Sequence, residues 1–354
     1  MSRRKDRPSG PLDQRSQEIL WAVIEEYIAT ATPVGSQALV DRRRLDVSPA
    51  TVRNVMAELE AAGYLSHPHT SAGRVPTDAG YRLYVEQITP QVSLGPVAQL
   101  MIRHQFGQVE FASEQWFRLA AATLAGATHN AGLATPAKPA AARVRRIDLI
   151  QNSTHLVSVV LVLAEGGVKQ GMVPVDSVVG DELLDAASRL LNDRLAGATA
   201  RQVAMQVEAL RREALVHDVS LRAAERVERM MRDFDAAAVE DVFSDGLLNV
   251  MEAPEFSHSE KLRTVFGVLQ NLDYLGGLVS RVAASDDVHV LIGAENEAEE
   301  MRDVALVLAA YGRPGRAIGV VGVLGPTRMA YPQAIGSVRY VSGLMNELVE
   351  QLYR

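Results

Sequence analysis

Ile19, Leu20, Val23, Ile24, Tyr27 and Ile28 recur three and four residues apart, the spacing that lines one side of an α-helix. The stripe predicts a first helix with one buried face, closed before Thr32-Pro33-Val34-Gly35. Ser36 stands where a hydroxyl cap is wanted for a short second helix over residues 37–43. After a turn around Leu45-Asp46-Val47, Ser48 and Pro49 supply a cap and a proline at the first helical position, where its missing N–H costs nothing. Val52, Val55, Met56 and Leu59 form the core stripe of this third helix, and Gly63 falls where a left-handed C-terminal cap is wanted. Tyr64-Leu65-Ser66 and Arg74-Val75 flank a proline- and glycine-containing loop over residues 67–73, which reads as a small hairpin. Thr77 and Asp78 cap a fourth helix running to about residue 88. Three helices followed by a hairpin predict a winged helix-turn-helix over residues 12–89.

Two prolines and a glycine within residues 90–96 mark a linker, and residues 97–129 read as helical, with Leu100, Phe106, Val109, Trp116, Leu119 and Leu124 roughly periodic. The Ala/Pro stretch over residues 131–142 is loop-like. Short β-rich runs follow at 144–151, 156–164 and 168–175, the last two joined by Glu165-Gly166-Gly167 as in a hairpin. Residues 181–195 form a helix, and 198–250 are charged and almost entirely helical, with no strand signal. A helix over 257–283, strands at 288–293, 305–311 and 317–324, and a closing helix over 331–353 complete the pattern. Strands before and after a helical block predict an α+β multidomain chain. The winged helix comes first, and residues 90–196 with 256–354 make one mixed α/β domain carrying a helical insertion at 197–255. Residues 1–11 lack periodicity and read as a flexible basic arm.

Composition then locates the charge. The 354 residues carry a net charge of −7, yet the first 90 hold eleven basic and eleven acidic side chains, so the excess belongs to the remainder. A polyanion-binding surface is therefore local to the N-terminal end. No apolar run approaches the roughly 18 residues that cross a bilayer, and the basic N-terminus precedes an amphipathic segment rather than the apolar core of a signal peptide. A cytoplasmic protein with no membrane partner is expected. The absence of cysteine excludes disulfides, thiol catalysis and Cys-based zinc sites.

A helix-turn-helix places the start of its second helix in the major groove of DNA. On the third helix here, Ala50, Thr51, Arg53, Asn54 and Ala57 lie opposite the apolar stripe. Arginine bonds guanine bidentately, asparagine bonds adenine, and threonine or alanine touches a thymine methyl. Arg42, Arg43 and Arg44, with Arg3, Arg4, Lys5 and Arg7 of the arm, are suited to phosphates; such runs also occur as plain solvated surface. In the hairpin, His67, His69, Thr70, Ser71 and Arg74 are polar groups suited to the DNA backbone or minor groove. His67-Pro68-His69 lacks a third ligand nearby and does not make a metal site.

Nothing in the chain matches a Walker A loop, Gly-x-Gly-x-x-Gly, Gly-x-Ser-x-Gly or His-Glu-x-x-His, so no catalytic activity and no cofactor are expected. Gly319, Gly322 and Gly325 read as bulge or turn glycines, and the acidic positions within residues 295–300 and Asp286-Asp287 as solvated surface.

Pro33-Val-Gly-Ser36, Ser48-Pro-Ala-Thr-Val-Arg-Asn54 with Met56-Ala-Glu-Leu-Glu60, Pro68-His-Thr-Ser-Ala-Gly-Arg-Val-Pro76 and Gly80-Tyr-Arg-Leu-Tyr84 closely resemble the heat-inducible transcription repressor HrcA family of bacteria. The resemblance implies an N-terminal winged helix, a central GAF-like α/β domain and a dimerising insertion within it. It further implies a homodimer that binds the inverted-repeat CIRCE operator of double-stranded DNA upstream of chaperonin and other chaperone operons. Activity would be supported by the GroE chaperonin and would fall when heat stress occupies that chaperonin. By match of position, Ser48, Thr51, Arg53 and Asn54 would belong to the recognition helix, and His69, Thr70, Ser71 and Arg74 to the wing. The rival reading is a regulator whose GAF-like domain senses a small molecule.

Overall fold

Asp13 opens the first helix, α1 (Gln14–Thr30), by accepting the Ser16 amide at 2.6 Å. The computed structural model describes residues 12–43, 47–68, 73–108, 113–139, 141–164, 167–213, 217–236, 241–256, 264–265, 267–268, 272–283, 287–313 and 317–352. Helices α2 (Ser36–Arg43) and α3 (Pro49–Ala61) follow, and Ile19, Leu20, Val23, Ile24, Leu39, Val52, Met56 and Leu59 bury the faces that the periodicity predicts. Gly63 ends α3 with φ +82°; its amide bonds the Glu60 carbonyl and the Tyr64 amide bonds that of Leu59, each at 2.9 Å, so the predicted left-handed stop is a two-bond Schellman closure. Strands β1 (Leu65–Ser66) and β2 (Val75–Pro76) pair antiparallel, and the Val34–Arg74 bridge adds the α1–α2 connection to this small sheet. Thr77 caps α4 (Asp78–Ile88) and also donates to the Gly63 carbonyl at 2.7 Å.

The chain divides into two compact units: residues 1–136, 241–311 and 319–348 form one, and residues 137–240, 312–318 and 349–354 the other. In the first unit the winged helix leads into α5 (Pro96–Phe106) and α6 (Ser113–Thr128). The stretch read as one helical run over 97–129 is thus two helices; Val109, counted in its periodicity, lies outside the described residues. Strand β3 (Ala131–Ala134) follows directly, in a stretch expected to be loop. Its Ala-Gly-Leu-Ala sequence has little intrinsic strand preference and is held by its neighbours instead.

In the second unit, β4 (Lys138–Pro139) precedes a three-stranded antiparallel sheet of β5 (Val144–Ser153), β6 (Leu156–Leu163) and β7 (Val168–Pro174). The hairpin between β6 and β7 forms where the sequence places it. Helices α7 (Asp181–Leu195), α8 (Ala200–Arg212) and α9 (Asp218–Ala236) share one core with that sheet, including Ile147, Val159, Leu161, Leu191, Val207 and Val227. Asn192 of α7 takes the place of a neighbouring strand at the β5 edge, accepting the Ile147 amide at 2.8 Å and donating to its carbonyl at 2.7 Å. The interrupting unit therefore begins at Ala137 and carries its own sheet, whereas the sequence pattern suggested a helical insertion over 197–255. Alternation in 144–174 announces strands but not which sheet they join.

The chain returns to the first unit at Asp241 with β8 (Phe243–Asp245), a three-residue strand inside the block read as helical, and then α10 (Leu247–Met251) and α11 (Leu272–Ala283). Strands β9 (His289–Ile292), β10 (Val304–Arg313) and β11 (Ala317–Pro326) appear where expected, and α12 (Tyr331–Leu352) closes the chain. The order across the larger sheet is β8, β3, β11, β10, β9, with β4 pairing with β11 off this path. Among the described residues no helix is long and apolar enough to cross a membrane.

Candidate nucleic-acid interface

Helix α3 buries Val52, Val55, Met56 and Leu59, and this leaves Ala50, Arg53, Asn54, Ala57 and Glu58 exposed on its other side. The helix starts cleanly because Pro49 occupies its first turn and Ser48 Oγ accepts the Thr51 amide at 3.1 Å. Ser48 Oγ also lies 2.9 Å from Thr51 Oγ1, so both predicted hydroxyls are engaged with each other at the helix start. Arg53 and Asn54 remain as adjacent hydrogen-bonding side chains facing outward from the first half of the helix.

The arginines before the turn have partners that the sequence reading did not supply. Arg42 Nη1 lies 2.5 Å from Glu26 Oε1, and Arg43 Nη1 lies 2.6 Å from Glu25 Oε2 with its Nε 3.6 Å from Glu26 Oε2. Glu26 is only 7% exposed, so these pairs hold α2 against α1 at a carboxylate largely withdrawn from water. Tyr84 packs edge-on to Trp21 with ring centroids 5.5 Å apart, and its hydroxyl lies 3.5 Å from Glu25 Oε1. Burial first, and then the Glu25 charge, push that phenol up to about 12, so it stays protonated and donates. Two consecutive glutamates on α1 were the available signal for this network, but their partners lie sixteen to eighteen positions along the chain.

In the wing, Arg74 bonds through its backbone to Val34, amide to carbonyl in both directions at 2.9 Å. Its Nε lies 2.9 Å from Glu60 Oε2, and His67 Nδ1 lies 3.2 Å from Glu60 Oε1. Burial opposes ionisation of Glu60, but the hydrogen bonds from His67 and Arg74 outweigh it and hold the carboxyl below the usual range. Arg44, His69, Thr70 and Ser71 lie outside the described residues. The structure thus brings Arg42 and Arg43 to the α1–α2 contact, Arg74 to the base of the wing, and Arg53 with Asn54 to an open helix face.

The family model for the HrcA protein C-terminal domain matches residues 114–335. The heat-inducible transcription repressor HrcA of Chloroflexus aggregans is 44% identical over 360 residues, covering 98% of this chain and 95% of that protein. The namesake from Herpetosiphon aurantiacus is 43% identical over 97% of this chain and 96% of its own length, and that from Thermomicrobium roseum 39% identical over 96% of each. A solved structure described as the crystal structure of a hypothetical protein at 2.2 Å resolution aligns with 97% of this chain and 100% of its own, at a TM-score of 0.65 and 25% identity. Similarity at this level over nearly the whole chain, winged helix included, places the protein in the HrcA family of heat-inducible transcription repressors, negative regulators of heat-shock genes.

Proposed function

We propose that this repressor binds an inverted-repeat operator of the CIRCE type upstream of chaperonin and other chaperone operons, as a homodimer, with α3 of each copy in successive major grooves. The observation that carries this reading is the pairing of Arg53 and Asn54 on the exposed face of a capped and firmly buried helix. Those two side chains match guanine and adenine edges, and half-site spacing then follows from the geometry of the dimer. The wing, anchored through Arg74, lies along the adjacent backbone or minor groove.

Pairing of two copies falls to the inserted unit. Helices α7 to α9 cover one face of its three-stranded sheet, while on the other Ile150, Ser158 and Met172 stand in one row, with Ile150 and Met172 exposed. The GroE chaperonin keeps the repressor in its binding state, and operator occupancy falls when heat stress draws the chaperonin to unfolded clients.

A footprint or gel shift of the full-length chain on an inverted-repeat chaperone promoter, with and without GroE and across temperature, tests this reading. Protection of both half-sites, strengthened by GroE and lost on heating, is the expected result. Unchanged operator affinity in both Arg53→Ala and Asn54→Ala overturns the assignment of α3.

A further inference from the structure

The start of α4 is tied to the turn after β9. Asp78 Oδ2 accepts the Ala294 amide at 2.9 Å, and the turn presents that amide with Gly293 at φ +52°. A Cβ on Gly293 would lie within 2.3–2.5 Å of the Asp78 carboxylate, so the approach requires glycine. One helical turn later, Arg82 Nε donates to Glu295 Oε1 at 2.7 Å, while Nη2 donates to Glu295 Oε2 and, at 2.6 Å, to the Val290 carbonyl of edge strand β9. Glu295 is itself oriented by the Ile292 amide at 2.9 Å.

The surroundings of these ties combine a buried aromatic contact with unmatched polar atoms and an open cavity. Tyr81 and Tyr331 supply a ring contact at 5.8 Å, but the Tyr81 hydroxyl and Glu255 Oε2 are buried with no hydrogen-bond partner among the described residues. An open cavity of about 500 Å³, lined in part by Arg82, Glu86, His289 and Glu295, runs beside the ion pair. Polar, incompletely satisfied contacts of this kind characterise junctions that separate and re-form, because each bond lost inside is regained with water.

We propose that Asp78, Arg82 and Glu295 form a separable latch that fixes the direction in which the recognition helix is presented, making them positioning residues for operator spacing. The inference rests on the inverted-repeat reading above. A dimer whose two α3 helices each hold one direction accepts one separation of half-sites, and a dimer with open latches accepts several. None of the three residues lies on the exposed face of α3, so affinity for a single half-site is the same with the latch open or closed.

The chain has no cysteine, so Glu58→Cys on α3 and Glu300→Cys beyond the turn take spin labels without background. The full-length labelled protein should show one narrow interlabel distance, broadened by Arg82→Ala and by Glu295→Gln, the second keeping the side-chain shape should the first impair folding. The same proteins without labels are titrated against inverted repeats whose spacer varies in single base pairs. The parent should prefer one spacer by about tenfold or more, and both variants should flatten that preference while binding a lone half-site as the parent does. Distances that stay narrow in both variants overturn the latch, and broadened distances with an unaltered spacer preference overturn its positioning role. Broadened distances in a protein that binds no inverted repeat leave the latch standing and overturn the operator reading instead.

Discussion

The Arg74 guanidinium donates to the Glu60 carboxylate across 2.9 Å, fastening the returning strand of the wing to the last turn of the helix that carries Arg53 and Asn54. The base of the hairpin is thereby held to the C-terminal end of α3. The bonds from His67 and Arg74 hold Glu60 below the usual carboxylate range against the opposing effect of burial. A carboxyl depressed in the folded state stabilises the fold at any pH above its unfolded value, and that contribution fades as pH falls through the folded value. The stability gap between the parent and Glu60→Gln should thus be present at neutral pH and close below about pH 4. Urea midpoints measured across that range check it; a gap indifferent to pH would mean that packing, not charge, carries the contact.

Arginines of the winged helix divide by what they already hold. Arg43 bridges Glu25 and the nearly buried Glu26, so Arg43→Ala should lower folding stability by about 1–2 kcal/mol, between the values for exposed and buried pairs. Arg53 is exposed on α3, so Arg53→Ala should leave the melting temperature in place and weaken operator binding by about 1–3 kcal/mol. Each phosphate contact contributes about 0.9 to the slope of log affinity against log salt. A salt titration should therefore show the slope little changed for Arg53→Ala if that side chain reads a base, and shallower by about one if it grips a phosphate.

How far the sequence announces these arrangements depends on how local their causes are. Ser48 as a cap, Gly63 as a left-handed stop and the buried stripe of α3 involve neighbours a few residues apart, and all were legible. The β6–β7 hairpin was legible for the same reason. Strand β3, by contrast, is Ala-Gly-Leu-Ala and becomes a strand through pairing with β8 and β11, over a hundred residues away. The boundary of the inserted unit was hidden because the alternation of β5 to β7 is identical whichever sheet receives it. Arg42, Arg43 and Arg74 looked like open cations because Glu26, Glu25 and Glu60 meet them only after the helices pack. Arg82 and Glu295, separated by 213 positions, gave no signal at all.

Ala31 closes α1 in the left-handed region, with φ 52° and ψ 22°, and its amide bonds the Tyr27 carbonyl at 2.8 Å. An L-residue with a Cβ pays about 1–2 kcal/mol for that conformation, and glycine avoids the clash at the cost of greater freedom when unfolded. Ala31→Gly should therefore stabilise the protein by about 0.5–1 kcal/mol, and Ala31→Val should destabilise it, because a β-branched side chain tolerates positive φ least. Calorimetric melting of the pair tests the sign in both directions. A glycine variant that melts below the parent would show that freedom in the unfolded chain outweighs the relief at this cap.

Asn296 is 6% exposed, and its Nδ2 lies 2.9, 3.1 and 3.0 Å from the carbonyls of Gly293, Met301 and Val304. Two hydrogens serve three acceptors, so one bond is shared, and the side chain gathers the turn that presents Ala294 and Glu295 to α4. The Gly293 carbonyl keeps the backbone amide of residue 296 at 3.1 Å, but Asn296→Ala removes the side-chain donor from the Met301 and Val304 carbonyls in a site with little access to water, which should cost about 2–4 kcal/mol. Asn296→Asp should cost more near neutrality, because it exchanges the amide nitrogen and its two hydrogens for a charged carboxylate oxygen that faces carbonyl oxygens. Part of that excess should return on acidification, when the protonated carboxyl donates one bond. Urea unfolding of both variants at neutral and acid pH distinguishes the causes: a loss common to both and independent of pH assigns the cost to altered packing. A loss that shrinks with acid only in the aspartate variant assigns it to the missing hydrogen bonds. Faster amide exchange at Ala294 in the same variants would tie the firmness of the turn to the grip of Asp78.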